Sequence, residues 1–265
     1  MERKKIIILL PGNPGIIYTY DNFIKFLEEK IPHSTVFCPS HLGQKSSDDT
    51  YDNITLLDQL NHHKKFIEEK RNKFPERDFY LVGHSLGGLL SAQIFREKIF
   101  PFKKVFLICP FYKLCHPNIW FIKGLKRPRF NSFLKKTVKV LGKSPRPFQK
   151  VLQKSLGLKA YGDRIFSDFK RENFKHNFFS LLQSYPAYYE NLDLNKWFKE
   201  ELDEEDKSKL FFIFAKRDPW APKTVFRSLP DDISKTYEKK LNHGFCLDLK
   251  QSKLVADIIQ EKIFL

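Results

Sequence analysis

Hydrophobic residues fall along this chain in two alternating textures. Short apolar runs rich in β-branched and aromatic residues cover Lys5 to Leu10, Thr35 to Cys38, Asp78 to Val82, Lys104 to Cys109, Leu210 to Ala215 and Lys235 to Lys240. Runs of this length, bounded by polar and turn residues, predict strands buried on both faces, as in a parallel sheet. Between them, Tyr20 to Lys30, Leu56 to Lys73, Leu86 to Lys98 and Ser252 to Ile263 carry apolar residues at helical spacing. Strand and helix alternate through the first four strands, break off, and resume for the last two. No internal repeat appears. The pattern predicts one α/β domain over residues 1–265, with a mostly parallel sheet and helices on both faces.

The break, residues 111–207, has a different texture. Prolines fall irregularly in it (Pro117, Pro128, Pro145, Pro147, Pro186) among many aromatics, which predicts an inserted helical cap. Within it, Phe130, Phe133, Leu134, Val138 and Leu141 share one helical face, with Lys135, Lys136, Lys139 and Lys143 on the other. After Pro145-Arg146-Pro147, Phe148, Val151, Leu152 and Leu156 repeat the arrangement beside Lys150 and Lys154.

Charge sharpens this picture. The 265 residues hold 47 Lys+Arg against 31 Asp+Glu, a formal net charge of +16. From Lys98 to Gly162 there is no acidic residue and there are sixteen basic ones, so the positive field is local. Such a field attracts an anionic partner. Nucleic acid is disfavoured, because the aromatics lie in helical apolar stripes and no nucleic-acid-binding motif occurs. Two readings of the basic helices stay open. They dock on the core with solvated lysines, or they meet an anionic lipid surface with Phe130, Phe133, Leu134, Phe148 and Leu152 entering the acyl boundary.

The N-terminal Met1-Glu2-Arg3-Lys4-Lys5 followed by Ile6 to Leu10 imitates a signal peptide, but its five apolar residues before Pro11 fall short of the roughly 7–15 required. No stretch approaches the ~18 unbroken apolar residues of a membrane span. The four cysteines (Cys38, Cys109, Cys115, Cys246) have neither CxxC spacing nor a zinc pattern, which points to a reducing compartment and to no metal.

The chemistry sits where strands end. Asp78 to Val82 runs into Gly83-His84-Ser85-Leu86-Gly87-Gly88 and a helix begins at once, a G-x-S-x-G elbow in its strand, turn, helix context. A serine hydroxyl needs a base, and the base needs a carboxylate to fix its tautomer. In this fold the order is serine, acid, histidine. Asp218 follows the strand ending at Ala215 and His243 follows the strand ending near Lys240, so both stand in the required places. The rival position after Cys109 offers only Pro110-Phe111-Tyr112. Oxyanion donors are expected from the Leu86 N–H, next after the nucleophile, and from the Asn13 N–H in Pro11-Gly12-Asn13-Pro14-Gly15, whose prolines cannot donate. No cofactor is required. His62 and His63, in a polar-faced helical stretch, are expected at the surface.

Together these motifs resemble the lipid droplet-associated serine hydrolase family of the α/β-hydrolase superfamily. The resemblance rests on Leu10 to Gly15, where most relatives carry a His-Gly loop, on Gly83 to Gly87, on Asp218-Pro219-Trp220 and on Asn242-His243-Gly244-Phe245. It implies an ester hydrolase acting on sterol esters or acylglycerols at the lipid droplet surface, with a cytoplasmic or endoplasmic reticulum pool and no secretion. The alternative is a lipid-surface binding protein in which hydrolysis is vestigial.

Overall fold

The computed structural model describes residues 4–44, 54–113, 118–155, 162–168, 181, 184, 194–216 and 218–264. Six strands, β1 (Lys5–Leu10), β2 (Ser34–Phe37), β3 (Asp78–His84), β4 (Lys104–Ile108), β5 (Leu210–Ala215) and β6 (Lys235–Glu238), form one sheet in the order β2-β1-β3-β4-β5-β6. Every neighbouring pair is parallel. Each residue of β1 and β5 is buried, although successive side chains point to opposite faces. Both faces are therefore covered, which is why these strands read as unbroken apolar runs. The edge strands β2 and β6 are only half-buried.

Helices α1 (Asp21–Lys30), α2 (Leu56–Lys73) and α3 (Leu86–Arg96) connect the early strands, and α11 (Leu249–Phe264) closes the chain. α1 packs against α11, and α2 against α3. α2 starts at a capping box, with Asp58 N–H donating to Thr55 Oγ1 and Thr55 N–H donating to Asp58 Oδ2. Its buried face runs through Leu56, Gln59, Leu60, His63 and Ile67. This corrects the surface expectation for the two histidines. His63 lies on the helical stripe and is fully buried, and His62 is half-buried with Nε2 3.1 Å from the Ser40 carbonyl.

Between β4 and β5 come α4 (Asn118–Leu125), α5 (Pro128–Lys143), α6 (Arg146–Ser155), α7 (Gly162–Asp168) and the short α8 (Leu194–Lys196), which continues as a π turn, followed by α9 (Glu204–Lys209). α10 (Lys223–Ser228) joins β5 to β6. On α5, Leu134 and Val138 pack against the main core while Phe133 (63% exposed) and Val140 (67%) face outward. The apolar stripe is thus split between two faces, and Leu134 belongs to the core rather than to the expected lipid-facing set. Phe130 and Phe148 are exposed, as is Val151 of the second apolar stripe, and so is Trp120, which sequence reasoning did not single out. The Leu152 side chain lies outside the described residues. No helix among the described residues is long and apolar enough to cross a membrane.

In this strand order the chain turns back between β1 and β3, so the loops leaving their carboxyl ends diverge and open a crevice. The β1 loop is Pro11 to Gly15 and the β3 loop is the serine elbow.

Candidate active site

The elbow is built by close approach. A Cβ on Gly87 would lie 2.1 Å from the Leu10 carbonyl oxygen, and one on Gly83 would lie 2.4 Å from Ser91 Oγ. Only glycine lets β3 and α3 meet at this angle. Ser85, between them, takes φ 54° and ψ −114°, a conformation that costs an ordinary residue about 1–3 kcal/mol. Two hydrogen bonds hold it there: Ser85 N–H donates to the Ile108 carbonyl (2.9 Å), and Phe111 N–H donates to the Ser85 carbonyl (2.9 Å). The backbone is pinned and the hydroxyl stands in the crevice, half-buried.

Ser85 Oγ lies 2.9 Å from His243 Nε2, and His243 Nδ1 lies 2.8 Å from Asp218 Oδ2. The three residues expected from strand order therefore meet, from loops after β3, β5 and β6. Asp218 has no exposed side-chain surface. Its second oxygen, Oδ1, accepts from Trp220 N–H (2.8 Å) and Ala221 N–H (3.0 Å). Burial alone would raise its pKa, but the hydrogen bond and charge of His243, with these two amides, outweigh burial and hold it below the ordinary carboxylate value. Asp218 is thus an anion fixed in orientation. Because Oδ2 accepts from Nδ1–H, Nε2 is left with its lone pair toward the serine hydroxyl.

Sequence reasoning missed Cys109, at the end of β4. Its buried thiol hydrogen-bonds Asp218, and burial together with that carboxylate pushes its pKa well up, so it stays a neutral donor. Among the described residues Cys109, Asp218 and His243 are the one group that could hold a metal ion, with ligand atoms within 4.8 Å of one another. Their arrangement fits a metal poorly: the carboxylate already bonds both the imidazole and the thiol, so the three groups are engaged with one another. The signal was present in the sequence, since Cys109 occupies the strand end where a rival acid was sought.

The β1 loop abuts the nucleophile. A Cβ on Gly12 would lie 3.0 Å from the Ser85 Cβ. Within the loop, Gly12 N–H donates to Tyr20 Oη (2.8 Å) and Gly15 N–H to the Gly12 carbonyl (2.6 Å). Pro11 and Pro14 have no N–H, and the third amide of the turn is that of Asn13. Leu86 opens α3, where the first N–H groups have no intrahelical acceptor. Two helices between β4 and β5 reach segments beside the site. Phe121 on α4 packs edge-on to Trp220, with ring centroids 6.2 Å apart, and Asp168 on α7 accepts from the Tyr18 hydroxyl (2.6 Å).

The chain is 27% identical over 257 residues to a lipid droplet-associated hydrolase of Dictyostelium discoideum, covering 87% of this chain and 76% of that protein. It is 23% identical over 291 residues to a lipid droplet-associated hydrolase of Drosophila melanogaster, covering 98% and 91%. Its fold is similar to that of MGS-M2, an alpha/beta hydrolase enzyme from a Medee basin deep-sea metagenome library, with a TM-score of 0.70 at 13% identity over 99% of this chain and 90% of that one. A family model for lipid-droplet associated hydrolases matches residues 3–246, and the chain, an α/β hydrolase by fold, belongs to that family.

Proposed function

We propose that this protein is a serine ester hydrolase that acts on a lipophilic ester, of the sterol ester or acylglycerol class, at a lipid droplet surface. The observation that carries the catalytic part is the pair of hydrogen bonds from Ser85 Oγ to His243 Nε2 (2.9 Å) and from His243 Nδ1 to Asp218 Oδ2 (2.8 Å), at an elbow with a strained serine. In the reaction, Ser85 Oγ attacks the ester carbonyl as its proton passes to His243 Nε2. Asp218 remains ionised and stabilises the imidazolium. The oxyanion of the tetrahedral intermediate takes hydrogen bonds from the Leu86 and Asn13 amides. Collapse expels the alcohol, which receives the proton from His243, and leaves an acyl-enzyme. Water, activated by the same histidine, then releases the acid.

The substrate class and the location rest on the names of the relatives and on the surface of α4 to α6. Trp120, Phe130, Phe133, Val140, Phe148 and Val151 are exposed there among exposed lysines and arginines, in a stretch without acids. Such a surface suits insertion of rings into a phospholipid monolayer with cations among its headgroups. We read residues 111–207 as a cap that both covers the crevice and meets the lipid.

Labelling with a fluorophosphonate tests the catalytic reading. The wild type is expected to label in minutes and Ser85→Ala not at all, with turnover of a short-chain chromogenic ester falling at least about a thousandfold. Equal labelling of the two proteins would refute Ser85 as the nucleophile. A wild type that floats with lipid yet does not label would favour the vestigial-hydrolase alternative.

A further inference from the structure

Behind the catalytic residues lies a chain of buried polar groups that the reaction itself does not use. Gly12 N–H donates to Tyr20 Oη at 2.8 Å. Tyr20 Oη lies 2.6 Å from His84 Nδ1, and His84 Nε2 lies 2.8 Å from the backbone carbonyl of His243. The two side chains come from different elements, Tyr20 from the turn before α1 and His84 from the end of β3, and both are almost fully buried.

The direction of every hydrogen bond in this chain is fixed. A carbonyl only accepts, so His84 Nε2 carries the ring proton and Nδ1 carries the lone pair. The Tyr20 hydroxyl must then donate to Nδ1, and its own lone pair receives the Gly12 N–H. Burial, and secondarily His243 nearby, hold the His84 pKa down to about 3, which keeps the imidazole neutral and this pattern unchanged at working pH. Burial also holds the Tyr20 phenol protonated. The Cys246 thiol lies against the same hydroxyl, with its pKa pushed by burial up to about 12, so it is a neutral neighbour. Buried polar chains lower stability relative to apolar packing unless every member is satisfied, and here every member is.

The two ends of this chain and its inner member His84 attach to the three parts that must be in register for acyl transfer. Gly12 adjoins Asn13, His84 precedes Ser85, and the carbonyl belongs to His243. A Cβ on Gly12 would lie 3.1 Å from His84 Nδ1, so loop and ring are in contact as well as bonded. We infer that Tyr20 and His84 are positioning residues: the hydrogen-bonded chain through them locks the oxyanion loop and the histidine loop at fixed distances from Ser85. This inference rests on the reading of Ser85 as nucleophile and extends it to the groups that set its geometry. Neither residue touches the reacting atoms.

The test uses the full chain, 4-nitrophenyl butyrate as substrate and a boronic acid as a mimic of the tetrahedral adduct, with Ser85→Ala in parallel. Tyr20→Phe keeps the ring and deletes the link to Gly12. It is expected to lower kcat about ten- to a hundredfold, as a displacement of the order of 1 Å does, with KM little changed and boronic acid affinity falling with kcat. A role in stability alone would lower the melting temperature and leave kcat per folded molecule intact. His84→Gln, whose amide N–H can still reach toward the His243 carbonyl, is expected to retain several-fold more kcat than His84→Leu. A folded Tyr20→Phe with wild-type kcat and boronic acid affinity, in an enzyme that Ser85→Ala silences, overturns the positioning chain and leaves the nucleophile standing. If Tyr20→Phe does not fold, equal kcat in His84→Gln and His84→Leu overturns it instead. Activity surviving in Ser85→Ala refutes the nucleophile, and the positioning inference with it.

Discussion

Single atoms decide the chemistry of this site, and Asp218 illustrates how. Its two oxygens face different partners, Oδ2 the imidazole and Oδ1 the amides of Trp220 and Ala221. Asp218→Asn preserves the shape but places an amide N–H where an acceptor or an anion is needed, which turns the imidazole to the wrong tautomer. We expect kcat to fall roughly 10³- to 10⁴-fold with little change in KM. On the proposed mechanism the three side chains act as a unit, and Asp218→Asn combined with Ser85→Ala should be scarcely worse than Ser85→Ala alone. Steady-state kinetics with a short-chain ester check both statements, and wild-type turnover in Asp218→Asn would remove the acid from the mechanism.

At the scale of elements, α5 carries two apolar faces with different surroundings. Leu134 and Val138 pack against the core, whereas Phe133 and Val140 are exposed. Changing the first pair to serine should lower stability by about 1–3 kcal/mol for each side chain, read from denaturant melts. Changing the second pair should leave the melt unmoved and reduce flotation with anionic liposomes, while added salt weakens only the part of binding that the lysines contribute. Flotation unaffected by Phe133→Ser with Val140→Ser would exclude this face as the lipid contact.

The same helix marks how far sequence reasoning reaches. Strands such as Leu210–Ala215 and the helix Leu56–Lys73 were legible to the residue, because period and end signals agree there. Ser85, Asp218 and His243 were legible because strand order constrains them. The division of α5 was not, since periodicity reveals an apolar stripe but not which part of it meets the core. His63 was obscured by its polar type, although Leu56, Leu60 and Ile67 share its stripe. Tyr20 and His84 are 64 positions apart, and His84 and His243 are 159 apart. Their hydrogen bonds exist only once the sheet has brought β1, β3 and β6 together.

At the scale of the whole molecule, three imidazoles are buried among the described residues, those of His41, His63 and His84. Burial first, and neighbouring imidazoles second, hold His41 and His84 at about 3 and His63 well below 6.5. His41 and His63 face each other, Nδ1 to Nε2, at 2.9 Å. The unfolded chain takes up a proton at each site from about pH 6.5 downward, whereas the native state does so only far below that. The stability each contributes is therefore whole above pH 6.5 and is lost as pH falls through the window below it. Asp218, with its depressed pKa, acts in the same direction but only below about pH 4. Between pH 7.5 and 5.5 the three histidines together should remove roughly 4 kcal/mol. Urea unfolding at a series of pH values measures this, and constant stability from pH 7.5 to 5.5 would contradict it.

The acid-free stretch from Lys98 to Gly162 has a consequence for motion as well as for contact. It holds sixteen of the 47 basic residues, and the 31 basic residues elsewhere equal the 31 acidic ones in number. The rest of the chain is balanced in number, and eleven of the sixteen basic residues lie on or between α4, α5 and α6, so the net charge is concentrated on that part of the chain. An anionic surface acts on such a body with a torque before it makes contact, within about a Debye length. Encounters are then sorted by orientation, with α4, α5 and α6 arriving first. Rotational search, ordinarily a large part of the time taken to dock productively, shrinks to a small cone of approach.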